Sequence, residues 1–152
     1  MNTVSQIMSR NVVTTTPNAS CREAVTLMTR DRIRHLPVVG PDGVLRGIVT
    51  DRDLRHYLFR PEIFRSIGTV PVARLLSEVQ VGHVMSQPVV SVAPDTPLDK
   101  AGQVMLEHGL GSLPVVDHRG LAGIVTETDL LKQIIGVDAT STDVEAIVVS
   151  YP

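Results

Sequence analysis

The apolar positions alternate between helical and strand-like spacing along the chain, and the same succession occurs twice. A first β-branched run, Val12-Val13, leads to Pro17. Ser20 then stands three residues before Glu23, which predicts a helix opened by a capping box, with Ala24, Leu27 and Met28 as its buried stripe. The short apolar run Leu36-Pro37-Val38-Val39, the turn Gly40-Pro41-Asp42-Gly43 and a second β-rich run ending at Val49 follow. Thr50 is then placed to cap a closing helix that reaches about Leu58. In the second succession Val89-Val90 opens, and Thr96 is expected as the cap with Pro97 at the first helical position. Ala101, Val104 and Met105 form the stripe, and the run Leu113 to Val116 precedes the turn Asp117-His118-Arg119-Gly120. A β-rich run to Val125 and a helix capped by Thr126 that reaches about Ile135 complete it. The order strand, helix, strand, strand, helix predicts an α/β (α+β) fold in which two helices pack on a small sheet in each unit.

The two successions are copies of one unit. Val4 to Ser9 aligns with Val81 to Ser86, Leu36 to Val39 with Leu113 to Val116, and Gly47-Ile48-Val49-Thr50 with Gly123-Ile124-Val125-Thr126. The offset is 77 residues early and 76 late, so one residue is lost between Gly40 and Gly47. Units this small exclude water poorly alone, and a duplicated unit is expected to bury a shared face. Residues 61–80 contain Pro61, Gly68 and Pro71 but also Ile63, Phe64, Ile67, Leu75 and Leu76, and are expected to pack as a linker on the pair or on a second chain. Residues 137–152 are expected to form a tail with a turn and a short strand at Ala146 to Val149.

Composition narrows the function classes. Apolar residues make up 43% of 152, enough for a core. No apolar run approaches the roughly 20 residues a membrane span needs. The N-terminus has no basic stretch leading into an apolar core, so a cytoplasmic location without membrane insertion is expected. Cys21 is the only cysteine, which excludes an intrachain disulfide. Its place near a helix start is expected to lower its pKa, but no motif joins it to a base. The five histidines show no His-x-x-x-His spacing, and no metal site is expected. The net charge of −2 and the absence of tryptophan argue against nucleic acid as a partner. That net value hides an asymmetry: residues 1–76 hold eleven basic and six acidic side chains, residues 77–152 three basic and ten acidic. This marks either an anion site in the first half or two unlike faces, whether solvated or meeting in a dimer.

The sharpest candidate chemistry is Thr50-x-x-Asp53 with its twin Thr126-x-x-Asp129. A carboxylate can accept both hydroxyls of a ribose cis-diol, and a helix N-terminus offers free N–H groups to a phosphate. The same spacing is also an ordinary capping arrangement, and the two roles can coexist. Gly47 and Gly123 permit close backbone approach. Met8, Met28, Met85 and Met105 recur at matching positions as core, with Met8 and Met85 at cleft walls. Arg52 adds a cation beside Asp53, where the second copy has the neutral Thr128.

The Met-Ser pieces, the Leu-Pro-Val-Val runs and the duplicated Gly-Ile-Val-Thr-x-x-Asp-Leu together resemble the CBS domain, and the pair resembles a Bateman module of the stand-alone bacterial type. The resemblance implies tandem CBS repeats at 1–60 and 81–136, related by a pseudo-two-fold axis, with clefts between them that often bind adenosine compounds. It implies no catalysis and no required cofactor, but an adenine nucleotide (AMP, ADP or ATP) as regulatory ligand, a homodimer through the CBS domains and an unknown effector protein. Carried over residue by residue, the first cleft comprises Thr50, Arg52, Asp53, Arg34, His35, Ile48, Val84, Met85, Gln87 and Leu110. The second comprises Thr126, Thr128, Asp129, Ser112, Gly111, Ile124, Ile7, Met8, Arg10 and Ile33. Arg34 and His35 stand where relatives reach phosphates, and Ile48 and Ile124 would line adenine slots. The first cleft is therefore expected to favour more phosphate charge than the second. The alternatives are a protein-interaction scaffold with empty clefts and a sensor of S-adenosylmethionine or NADH.

Overall fold

In a computed structural model of the chain, residues 2–136 are described; the expected tail at 137–152 lies outside them. Helix α1 spans Val4–Ile7, α2 Cys21–Asp31, strand β1 His35–Val39, β2 Leu45–Thr50 and α3 Asp51–Leu58. Two short helices, α4 (Pro61–Phe64) and α5 (Val72–Ser77), and a 3-10 turn at Val81–His83 lead into the second repeat. There α6 spans Leu98–His108, β3 Ser112–Asp117, β4 Gly120–Thr126 and α7 Glu127–Ile135. β1 pairs with β2 and β3 with β4, both antiparallel, in the same register apart from a bulge near the turn: Leu36 faces Val49, and Leu113 faces Val125.

Local chemistry sets the helix ends. Ser20 caps α2 and Glu23 reaches back to the Ser20 N–H, completing the box. α2 ends on Arg32 in the left-handed region, where the second repeat places Gly109, the residue that adopts this conformation without strain. The second repeat differs from expectation at its start: Pro97 is the cap residue of α6 and Thr96 lies one place further out, with no side-chain cap bond.

The first strand expected in each repeat is reduced to a single bridge. Thr15 donates to the Pro37 carbonyl and accepts from Val39 N–H, at 3.0 and 2.9 Å, and Val92 does the same between Pro114 and Val116. The next rung would need residue 37 or 114 to donate to Val13 or Val90. Both are proline and have no N–H, so the ladder stops after one residue.

The two cores do not follow the repeat boundaries. One holds Cys21, Ala24, Met28, Leu36, Val38, Val49 and Leu54 but also Leu76 and Val81. The other joins Val4 and Met8 to Ala101, Met105, Leu113, Val115 and Val125. The repeats thus exchange their N-terminal arms. Val4 N–H donates to Thr96 O and, 77 residues on, Val81 N–H donates to Ala19 O, at 2.9 and 2.8 Å. Each arm then pairs with the opposite closing strand, Ser9 with Ile124 and Ser86 with Ile48. The linker packs through α5 on α2 with Leu76 buried, while Phe59, Phe64, Ile67 and Val72 stay exposed.

The crossings are tight. A Cβ on Gly47 would lie 2.6 Å from Met85 Sδ and 3.0 Å from Ser86 O, and one on Gly123 would lie 2.6 Å from Met8 Sδ and 2.8 Å from Ser9 O. The methionine end can turn aside, but the carbonyl belongs to the paired backbone. Gly47→Ala and Gly123→Ala are expected to cost about 1–3 kcal/mol each in urea unfolding, the size of an overpacked core.

Candidate functional site

Each closing helix begins where β2 or β4 ends, and the threonine at the junction organises the polar groups. Thr50 Oγ1 accepts from Asp53 N–H at 3.1 Å while Asp53 Oδ2 accepts from Thr50 N–H at 2.9 Å. Thr126 and Asp129 repeat this at 3.3 and 2.8 Å, and the Thr126 hydroxyl also donates to Asp129 Oδ2. Both acids are half-buried and serve as caps. The Asp53 carboxylate also reaches across to the arm of the second repeat, where Oδ1 accepts from Ser86 Oγ at 3.1 Å. Asp53 therefore faces a junction between repeats.

Ser86 was not among the expected site residues. Its signal was present in the Met-Ser pair that recurs in both copies and in its neighbours Met85 and Gln87, which the resemblance already set in the cleft with Asp53. Met85 and Val84 of the same arm pack on the first core, and Ile48 is buried beside them. Gln87 instead lines an open groove between the two hairpin turns, with Asp42, Arg46, His118 and Arg119. Leu110 packs on the second core. Arg34 and Arg52 are exposed and form no ion pair among the described residues.

On the other side, Met8 is buried under Gly123, Ile7 packs beside it, and Ile124 is half-buried against the Ser9 arm. Arg10 is exposed and donates to Ser5 O at 2.9 Å. Ile33 packs on the first core, Ser112 is buried, and Thr128 is exposed. Gly111 accepts from Glu127 N–H at 3.0 Å, as Arg34 O accepts from Asp51 N–H at 3.1 Å.

These two junctions abut through His35. Its Nε2 would lie 3.3 Å from a Cβ on Gly111, and the Glu127 carboxylate would lie 3.5 Å from the same point. Glycine at 111, where the first repeat has Arg34, leaves the space beside which the ring sits. Burial holds the His35 imidazole below its ordinary pKa of 6.5; Asp51, Glu127 and Asp53 pull it up and Arg34 pushes it down. Cys21 shows the same effect of burial. Rather than being activated by its helix start, the fully buried thiol is pushed up to about 11. Among the described residues no group of three or more His, Cys, Asp or Glu is arranged to hold a metal, and no helix is long and apolar enough to cross a membrane.

The depressed His35 pKa has a sign. Below pH 6.5 the unfolded chain takes up a proton that the folded chain refuses until a lower pH, so the contribution favours folding above 6.5 and is lost as pH falls. Urea midpoints of the protein and of His35→Gln, compared at about pH 7.5 and about pH 5.5, are expected to show a smaller acid loss in the variant.

A family model for the CBS domain matches residues 4–60 and 81–136. The CBS domain-containing protein YhcV of Bacillus subtilis is 36% identical over 130 residues, covering 86% of this chain and 84% of that protein. In other curated relatives the chain spans 31%, 43% or 46% of the length. The structure of CBSX2 in complex with AMP matches with a TM-score of 0.69 at 27% identity, covering 89% of this chain and 97% of that one. The CBS domain pair of protein MJ0100, in complex with 5′-methylthioadenosine and S-adenosyl-L-methionine, matches at 0.70 and 27%, covering 88% and 96%. With the family model matched twice, and with two small antiparallel sheets carrying helices in the same order, the chain belongs to the CBS-domain family as a tandem CBS pair.

Proposed function

We propose that this CBS pair is a non-catalytic regulatory module that binds an adenine nucleotide at the junctions between its repeats and works as a homodimer on an effector protein. The observation that carries the reading is Asp53, held at the start of α3 by Thr50 and reached by Ser86 from the other repeat's arm. A ribose cis-diol accepted there would touch both repeats at once, so occupancy would favour one relation of the arms over another. The adenosyl ligands of CBSX2 and of the MJ0100 pair support the ligand class. Arg34, Arg52 and His35 beside the Asp53 junction, against Gly111, Thr128 and Ser112 at the corresponding positions, favour a more highly phosphorylated nucleotide in the first site than in the second.

One observation favours a second reading, a protein-interaction scaffold whose clefts stay empty. Phe59 and Phe64 stack at 5.9 Å while exposed, beside Arg65 and Pro61, in a small apolar groove.

Calorimetric titration with AMP, ADP, ATP, NADH and S-adenosylmethionine separates the two. The nucleotide reading expects two unequal sites and a loss of about tenfold or more in affinity at one of them on Asp53→Ala, the size of a lost charge-assisted hydrogen bond. Arg34→Ala is expected to weaken ATP more than AMP. No heat from any of the five would favour the scaffold.

A further inference from the structure

The two junctions treat their capping acids differently, although the crossings beside them match in backbone. Ser86 exchanges both backbone bonds with Ile48, at 2.8 and 3.2 Å, and Ser9 does the same with Ile124, at 2.9 and 3.0 Å. A serine thus arrives at the same place on each arm, and both serines are exposed. Each acid is half-buried and accepts the backbone N–H of its own threonine on Oδ2, at 2.9 Å for Asp53 and 2.8 Å for Asp129.

The second oxygens part company. On Asp53, Oδ1 accepts from Ser86 Oγ at 3.1 Å. On Asp129 the further bond goes again to Oδ2, from the Thr126 hydroxyl at 3.0 Å. Among the described residues Asp129 Oδ1 accepts no hydrogen bond, and the Ser9 hydroxyl makes none. A hydroxyl donating to a carboxylate oxygen is also the contact that a ribose cis-diol makes. Oδ2 of each acid is turned to the helix start, so a diol that engages both oxygens needs Oδ1 from the junction side. At Asp53 that is the side from which Ser86 comes.

We infer that Ser86 is an internal competitor for the ribose at the first junction, where a nucleotide must break the arm's bond to Asp53, while at the second it meets an unengaged Asp129 oxygen. The inference rests on the nucleotide reading proposed above and divides the work between its two sites. Occupancy of the first junction releases the side-chain tether between the second repeat's arm and α3. Occupancy of the second breaks no such tether. A ligand shifts a conformational equilibrium only through a difference of this kind, so the first junction is the one that converts binding into a change between the repeats. The arm continues from Ser86 into Gln87 and Pro88, which line the groove between the two hairpin turns. The change therefore reaches a surface to which both repeats contribute.

Calorimetry with AMP, ADP and ATP tests it one junction at a time, using the full chain with Asp129→Ala to report the first and with Asp53→Ala to report the second. In the first background, Ser86→Ala is expected to tighten nucleotide binding about threefold or more. Ser86→Thr, which keeps the hydroxyl, is expected to leave the affinity as it was. The gain is expected to vanish with the 2′,3′-dideoxyadenosine nucleotide of the same phosphate number, which has no diol to take the vacated place. In the second background Ser9→Ala is expected to change nothing. Urea unfolding without ligand gives a separate readout: Ser86→Ala is expected to lower the midpoint, since a bond to a charged group is lost, and Ser9→Ala to leave it unchanged. Nucleotide binding that is unchanged or weakened by Ser86→Ala, or an equal gain with the dideoxy compound, would overturn the competition and leave the nucleotide reading standing. No heat from any of the three nucleotides with the unmodified chain would instead bring down that reading, and the inference with it.

Discussion

Ser9 and Ile124 exchange both backbone hydrogen bonds, as do Ser86 and Ile48, and through these crossings each repeat completes the other's core. An arm can cross only if something under it is small. Gly47 and Gly123 supply that space, and Met85 and Met8 fill what is left. Val4 and Val81 are fully buried in cores that belong mainly to the other copy, so neither repeat retains a closed interior if the crossings part. Duplication and mutual completion are one physical fact here: each half is too small to exclude water alone.

The same crossings place the chemistry. The strand that receives an arm runs directly into the threonine that caps the closing helix, so the capping acid emerges beside the foreign arm. Asp53 satisfies the helix with one oxygen and the arm with the other. Asp129 is engaged with Thr126 alone among the side-chain hydrogen bonds of the described residues. The repeats are thus alike in backbone and unlike in polar connections, and His35 against Gly111 adds a further difference where the junctions meet.

Features fixed by neighbours within a few residues were legible in the amino-acid order. Ser20 with Glu23, Thr50 with Asp53 and Thr126 with Asp129 all cap as their spacing implies, because the partners lie within one helical turn. What depends on distant partners was not legible. Val12-Val13 and Val89-Val90 look like strands, but their pairing is decided by Pro37 and Pro114 on another segment. Cys21 sits near a helix start, yet burial in a core completed by Leu76 and Val81 outweighs that position. The link from Ser86 to Asp53 spans 33 residues and exists only because the arms cross. The duplication itself was visible, and the family resemblance set Val84, Met85 and Gln87 with Asp53 and Ile7, Met8 and Arg10 with Asp129, but the repeated pattern by itself does not say which copy an arm completes.

The prolines in β1 and β3 have a further effect. A two-stranded sheet has two open sides, and an open side with free N–H groups invites strands from other molecules. Here one side of each sheet is taken by the crossing arm. The other presents a proline at its middle, and the single bridge from Thr15 or Val92 occupies the neighbouring N–H. An incoming foreign strand would find no consecutive donors to grip. The feature that keeps the first segment from becoming a full strand thereby guards the hairpins against edge-to-edge aggregation.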